Sequence, residues 1–183
     1  MRKSIELIAG LLMITILMTG CGDDATGPQQ GEGGESTYTV DDFTFAWQQD
    51  PDSDQHLLIS VSAPTTGWVA VGFEPASFME DADLIIGYVD QGTASVRDDF
   101  GTGQFTHVSD VSLGGTSDVS SVSGEESSGN TTVSFRIPYD SEDQYDAVLQ
   151  EGSSYTFIFA YGADGADDYT STHVWAQSAN FEL

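Results

Sequence analysis

The stretch Gly67–Asp90, GWVAVGFEPASFMEDADLIIGYVD, contains two short apolar runs separated by a polar loop. The runs Gly67–Phe73 and Asp83–Val89 are rich in Val and Ile, the residue types that favour strands. The Glu, Pro, Ser and Asp between them are typical of a connecting loop. The stretch therefore predicts two strands joined by a loop, and that loop carries Met79.

Similar short runs, separated by Gly, Asp, Ser and Pro clusters, lie on both sides of this stretch. In His56–Ala63, Ile59 and Val61 alternate with Ser60 and Ser62, as in a half-buried strand. The other predicted strands are Phe43–Gln48, Ala94–Phe100, His107–Leu113, Val119–Ser123, Thr131–Ile137, Ser154–Tyr161 and Thr172–Gln177. Roughly ten closely spaced strands predict an all-β antiparallel sandwich or barrel. Only Ser141–Leu149, with Asp140 or Ser141 as a cap, indicates a turn or two of helix.

The N-terminus has the pattern of a bacterial lipoprotein signal. Arg2 and Lys3 precede the apolar run Leu7–Met18, which is too short to cross a bilayer, and small residues come directly before Cys21. We predict a signal peptide over residues 1–20 and lipid attachment at Cys21; the alternative is an ordinary secreted protein with a stray cysteine. Gly22 is not the aspartate that retains some lipoproteins in the inner membrane, which favours the outer membrane or cell surface.

The rest of the chain divides into a tether and one domain. Residues 21–36 are Gly, Gln, Glu, Asp and Pro with almost no apolar residue, and predict a flexible acidic tether. Residues 37–183 are enough for a single domain with its own core. The formal net charge of −26 excludes nucleic acid and anionic lipid headgroups as direct partners. It is also typical of solubility in high salt, as in halophilic proteins.

The residue types available limit the chemistry of any site. Cys21 is the only cysteine, so its lipidation leaves no thiol for a disulfide, a thiolate metal site or covalent haem attachment. No Gly-x-Ser-x-Gly elbow, His-Glu-x-x-His pair or phosphate-binding glycine loop occurs. We therefore expect no enzymatic activity, and a cofactor would be held by His, Met, carboxylate or shape.

The ordered series of motifs resembles the DOMON family, the domain found beside dopamine β-monooxygenase and as the cytochrome part of cellobiose dehydrogenase. The series is GWVAVGF, a loop with Met79, ADLIIGYVD, VRDDF, and then the long stretch SFRIPYDSEDQYDAVLQEGSSYTFIFAYGADGADDYTSTHVW. The resemblance extends over most of Thr37–Trp175 and implies an immunoglobulin-like antiparallel β-sandwich.

The resemblance also implies a cofactor. In haem-binding members, a methionine after the GW…GF strand and a histidine near the end of the domain ligate b-type haem; these roles fall on Met79 and His173. A Met/His pair fills both axial positions and suits electron transfer, here with a membrane or periplasmic redox protein. The apolar slot for the haem would draw its walls from these residues: Phe73, Phe78, Ile85, Tyr88, Phe100, Phe159 and Trp175.

Several alternatives remain open. His107 is a competing imidazole, either as a haem ligand or with His173 in a copper or zinc site. The acidic run Asp164–Asp168 lacks the alternation of a calcium loop and is interpreted as a solvated loop. The alternative function is haem-free binding of carbohydrate or another small ligand at the cell surface, with stacking on the tryptophans Trp47, Trp68 and Trp175. A purely structural surface lipoprotein is the third reading.

Overall fold

The computed structural model describes residues 26–31 and 34–183. The predicted signal peptide and Cys21 lie outside the described residues. Within them the chain forms two six-stranded antiparallel sheets that pack face to face, which confirms the predicted all-β sandwich. No helix among the described residues has the length and apolar character needed to span a membrane.

The two sheets divide the twelve strands equally. Sheet A contains, in spatial order, β1 (Thr26–Gln30), β2 (Ser36–Val40), β3 (Phe43–Gln49), β4 (His56–Ala63), β10 (Asn130–Pro138) and β9 (Ser120–Ser127). Sheet B contains, in spatial order, β12 (His173–Glu182), β11 (Ser154–Gly162), β5 (Val69–Phe73), β6 (Asp83–Asp90), β7 (Thr93–Gly103) and β8 (Thr106–Ser109).

The core between the sheets follows from alternation along the strands. Val69, Val71 and Phe73 on β5 point towards sheet A, and Ile59 and Val61 on β4 point towards sheet B. An aromatic stack fills the centre of the core, formed by Phe43, Phe45, Trp47, Phe73, Phe157, Phe159 and Phe181. The outward-pointing residues of sheet B are therefore free to form a second surface.

Two strands of the structure were not predicted, and neither has a clear apolar pattern. Thr26–Gln30, inside the predicted tether, forms β1 and pairs with β2. Its described side chains are exposed, so this strand is held by backbone hydrogen bonds, which need no apolar pattern. Ser36–Val40 forms β2 at the junction of the predicted tether and domain.

The helix predicted over Ser141–Leu149 is absent, and the segment is an irregular loop. Side chains take the place of helical bonds there: the Glu142 amide donates to Asp140 and the Asp143 amide donates to the Ser141 hydroxyl. Such local bonds compete with helix formation. The only described helix is instead a single turn, α1 (Asp110–Leu113), at the end of the strand predicted over His107–Leu113.

Candidate functional site on the outer face of sheet B

The face of sheet B that points away from sheet A, here called the outer face, carries small and apolar residues at its centre. Ala70 and Gly72 on β5 alternate with the core residues and so face outward. A second, smaller apolar cluster forms on this face from Trp68, Ala70, Ile86, Tyr88, Ala160, Ala166 and Tyr169.

The loop between β11 and β12, residues 163–172, covers one end of the outer face. The Tyr169 ring lies 5.0 Å from the Tyr88 ring, and the Arg97 guanidinium lies 4.3 Å from the centre of the Tyr169 ring. The Trp68 indole donates a 2.8 Å hydrogen bond to the Ser171 hydroxyl. The chain's own side chains therefore occupy the space above this end of the face.

Three charged or polar side chains on β7 and β8 contact one another beside this end of the face. Arg97 makes a bidentate pair with Asp99, with contacts of 2.5 and 2.6 Å. Nδ1 of His107 lies 2.6 Å from Oδ2 of the same carboxylate, the oxygen that also accepts from the Arg97 guanidinium. Burial alone would raise the pKa of Asp99, but the hydrogen bonds from His107 and Arg97 and their charges lower it. His107 is thus oriented by a carboxylate on the outer face.

Met79 lies on the loop between β5 and β6, against the far end of β7. Its carbonyl accepts a 3.1 Å hydrogen bond from the Ala82 amide, and its amide donates to the Gln104 carbonyl at 3.4 Å. Gly101 lies directly beneath it: a Cβ at Gly101 would fall 1.6 Å from the Met79 carbonyl oxygen. Met79 is half-buried, and the close backbone approach explains why position 101 requires glycine.

His173 lies at the other end of sheet B. It is the first residue of β12, pairs with Gly162 on β11, and is exposed. Gly162 in turn donates to the carbonyl of Trp68, just before β5 begins, whereas Met79 comes after β5 has ended.

The strand registers therefore separate the two predicted axial ligands in both directions. The five residues of β5 lie between them along the strands, about 13 Å, and β12 is four strand spacings from β7, about 19 Å. Two residues that ligate one metal need Cα atoms within about 14 Å of each other. This limit is the sum of two metal–ligand bonds of about 2 Å and two side chains that each extend about 5 Å. The structure does not bring Met79 and His173 together.

The residues expected to line a haem slot are also divided. Phe73, Ile85 and Phe159 belong to the core between the sheets, on the opposite side of sheet B from Tyr88, and Phe78 is exposed on the loop after β5. A cavity of about 390 Å³ is lined by residues of β1–β4, loop 139–153 and the end of β12, and its lining includes neither Met79 nor His173. As arranged here, the described residues do not fit a haem held by that pair.

The tryptophans do not form open stacking surfaces. Trp47 and Trp68 are buried, and Trp175 is half-buried between the Phe43 and Tyr161 rings. The side chains of Asp164 and Asp168 accept hydrogen bonds from backbone amides on their own and neighbouring loops, and hydrogen bonds from the Thr170 and Ser171 amides lower the pKa of Asp168.

Two exposed phenylalanines beside Met79 form an aromatic surface, of which the sequence indicated only Phe78, as a wall of a haem slot, and not Phe105. The Phe78 and Phe105 side chains are 64% and 74% exposed, and their ring centres are 5.2 Å apart. Phe105 lies in the turn between β7 and β8, so the pair joins two loops that are 27 residues apart. No local pattern in the sequence pairs the two residues, because each Phe stands alone within a polar loop.

Comparisons with known proteins agree with the fold and with the motifs. The DOMON domain model matches residues 39–162, more than half of the chain. The Drosophila melanogaster protein MOXD1 homolog 2 is 29% identical over 125 residues, which are 67% of this chain and 16% of that protein. The chain thus corresponds to about a sixth of that relative.

Two solved structures have the same sandwich. The cytochrome b domain of pyranose dehydrogenase from Coprinopsis cinerea has a TM-score of 0.55 at 15% identity, over 85% of this chain and 80% of that one. The cytochrome domain of Myriococcum thermophilum cellobiose dehydrogenase has a TM-score of 0.57 at 13% identity, over 86% and 88%. At these identities the likeness establishes the fold.

Proposed function

Since this chain belongs to the DOMON domain family, we propose that it is a non-catalytic, extracytoplasmic binding domain, lipid-anchored through Cys21, whose aromatic pair Phe78–Phe105 holds a neutral carbohydrate. The observation that carries the proposal is the exposure of two phenyl rings, one of which belongs to a residue, Phe78, whose backbone conformation is unfavourable. The tether and anchor would place this surface outside the cell, within reach of polysaccharide.

The loop holds Phe78 in place against two unfavourable effects. Phe78 has a φ of 56°, a left-handed conformation that costs a bulky residue on the order of 1–3 kcal/mol. Exposure of each phenyl ring also forgoes roughly 1.5–3 kcal/mol of burial. The Met79 amide and the Ser77 hydroxyl both bond to Gln104, which fixes the two loops to each other. A ligand that covers the rings would recover part of this free energy.

The surroundings of the pair favour a neutral polyol. The C–H faces of a sugar ring pack on aromatic faces, and its hydroxyls bond with polar side chains at the rim. Ser77, Glu80 and Gln104 supply such groups next to the two rings. The net charge of −26 repels anionic ligands. These features together favour a neutral oligosaccharide.

Calorimetry of the purified protein with neutral cello-, xylo- and malto-oligosaccharides tests this proposal. We expect binding of one of these series, and Phe78→Ala and Phe105→Ala should each weaken it about tenfold or more, because loss of one ring face removes about 1.4 kcal/mol or more. Val122→Ala, at an exposed apolar residue on sheet A, is the control and should bind normally. Equal affinity of all three variants would refute the assignment to the aromatic pair.

A second candidate is b-type haem binding for electron transfer to a membrane or periplasmic redox protein. It is favoured by the likeness to two cytochrome b domains and by Met79 lying against the outer face. It ranks second because Met79 and His173 lie far apart and loop 163–172 covers the end of the outer face at which His173 lies. For the haem, Met79 and His173 would have to approach each other by several ångströms.

Haemin titration separates the two candidates. On the carbohydrate proposal we expect no low-spin spectrum, with the same result for wild type, Met79→Leu and His173→Ala. A Soret band that sharpens on reduction, and that disappears in both variants while their circular dichroism is unchanged, would establish haem binding and overturn the haem-free reading. Retention of the band in His173→Ala and its loss in His107→Ala would assign the imidazole ligand to His107.

A further inference from the structure

Four aspartates converge on the inner side of sheet B, away from the outer face. Asp83 begins β6, Asp98 lies on β7, Asp110 begins α1, and Asp146 lies on the loop between β10 and β11. Asp83, Asp98 and Asp110 are 6%, 2% and 0% exposed. One carboxylate oxygen from each of Asp83, Asp98 and Asp146 lies within 4.8 Å of the other two.

The oxygens at the centre of this group have no hydrogen-bond partner. They are Oδ1 of Asp83, Oδ1 of Asp98, Oδ1 of Asp146 and both oxygens of Asp110. The second oxygens of two members are held by backbone amides: that of Asp83 by Ala147 and that of Asp98 by Asp118. These bonds fix the orientation of the two carboxylates, and one oxygen of each lies within 4.8 Å of an oxygen of Asp146. A buried acceptor without a donor is costly, and several together are more so.

No positive side chain among the described residues compensates for the four carboxylates. Arg97 pairs with Asp99 on the outer face, and Arg136 pairs with Asp50 near the start of β4. The group therefore consists of buried carboxylates with unpartnered oxygens and no paired cation in the described part of the chain, an arrangement that suits a bound cation.

We propose that Asp83, Asp98 and Asp146 ligate a Ca²⁺ ion, with Asp110 as a further carboxylate beside it. All the donors are oxygens, which selects a hard cation over zinc or copper. Two oxygens that each lie about 2.4 Å from one Ca²⁺ are at most about 4.8 Å apart, and the three oxygens here lie within that distance of one another. A cavity of about 10 Å³, lined by the same three aspartates, is the size of one small ion or water.

The geometry favours Ca²⁺ over Mg²⁺. Mg²⁺ requires near-ideal octahedral geometry at 2.0–2.1 Å and keeps several of its waters. The small space between the three carboxylates, with Ile85 and Ile137 in its lining, leaves little room for a hydrated ion. Ca²⁺ accepts irregular, charge-rich coordination.

The ion would join segments that are distant in sequence. Asp83 and Asp98 belong to sheet B, whereas Asp146 lies on the irregular loop 139–153 and Asp110 on α1. Next to Asp146, the loop is joined to sheet B by the Ala147 amide, which donates to the Asp83 carboxylate, and to the end of α1 by the Tyr145 hydroxyl, which donates to the Leu113 carbonyl. Binding would fix the loop to the sheet edge. This role is independent of the aromatic pair and of haem.

Differential scanning calorimetry of the EDTA-treated protein tests the site. We expect CaCl₂ at a hundredfold excess over its Kd to raise Tm by about 5–10 °C, with one ion bound per chain by titration calorimetry. Asp98→Asn and Asp146→Asn should abolish the rise, and both should be more stable than wild type in EDTA because one repelling charge is removed. Asp54→Asn, which removes the same charge at an exposed turn, should keep the full response.

The controls separate specific binding from salt screening. NaCl at equal ionic strength should raise Tm much less than CaCl₂, and MgCl₂ should do the same. An equal effect of NaCl, an equal effect of MgCl₂, or a normal Ca²⁺ response in both Asn variants would each overturn the assignment. If Asp98→Asn does not fold, Asp146→Asn decides alone, because Asp146 is half-buried on a loop and its replacement leaves the sheet intact.

Discussion

Replacement of Phe157 by alanine is expected to lower the free energy of unfolding by about 3–5 kcal/mol. Phe157 lies on β11, the second strand of sheet B, and is fully buried in the core between the sheets. Its ring stacks on Phe181 with centres 4.2 Å apart and planes at 7°, and it also contacts the Phe45 and Phe73 rings. Truncation removes the burial of one phenyl ring and leaves a cavity between rings that are too rigid to collapse into it.

The measurement is thermal and denaturant unfolding, where we expect Tm to fall by about 6–20 °C for a domain of this size. Phe105→Ala is the matched control, because it makes the same chemical change at a residue that is 74% exposed. It should change the free energy of unfolding by less than about 0.5 kcal/mol. A fall of less than 1 kcal/mol for Phe157→Ala would show that the aromatic stack does not hold the two sheets together.

The strands were predictable where one face is buried. The alternation in His56–Ala63 gives β4 with the same bounds as the structure, because burial of every second residue leaves a clear pattern. Thr26–Gln30 gives no such pattern, because β1 pairs through its backbone at a sheet edge. The helix predicted over Ser141–Leu149 was wrong because Asp140 and Ser141 bond to nearby amides instead of capping a helix.

The sites depend on contacts that no local pattern reports. Met79 was correctly assigned to the loop after β5, but its distance from His173 follows from the order of strands in sheet B. The buried aspartates were hidden by composition: with 30 acidic residues in the chain, Asp110 and Asp146 have no local mark that separates them from surface acids. Only the fold brings together carboxylates from four separate segments.

Gly101→Ala is the second change with a large expected effect, because it acts on the loop that presents the aromatic pair. The new Cβ would lie 1.6 Å from the carbonyl oxygen of Met79 and 2.7 Å from its carbonyl carbon. These are backbone atoms, so no rotamer change relieves the overlap. Separation of the two chains would break the hydrogen bonds by which Gly101 holds Asp81 and Ala82. We expect about 3 kcal/mol of stability to be lost, with the Met79 loop displaced from β7.

The displacement should abolish ligand binding, because Phe78 moves with Met79 whereas Phe105 stays with the β7–β8 turn. Calorimetric titration with the bound oligosaccharide and thermal unfolding measure the two effects separately. Gly103→Ala is the control: its Cβ would meet only the Thr106 hydroxyl, at 3.0 Å, and a side-chain hydroxyl can rotate away. Wild-type affinity in Gly101→Ala, with the expected loss of stability, would mean that the two rings do not bind as a pair. Loss of affinity in both glycine variants would instead trace binding to the β7–β8 turn alone.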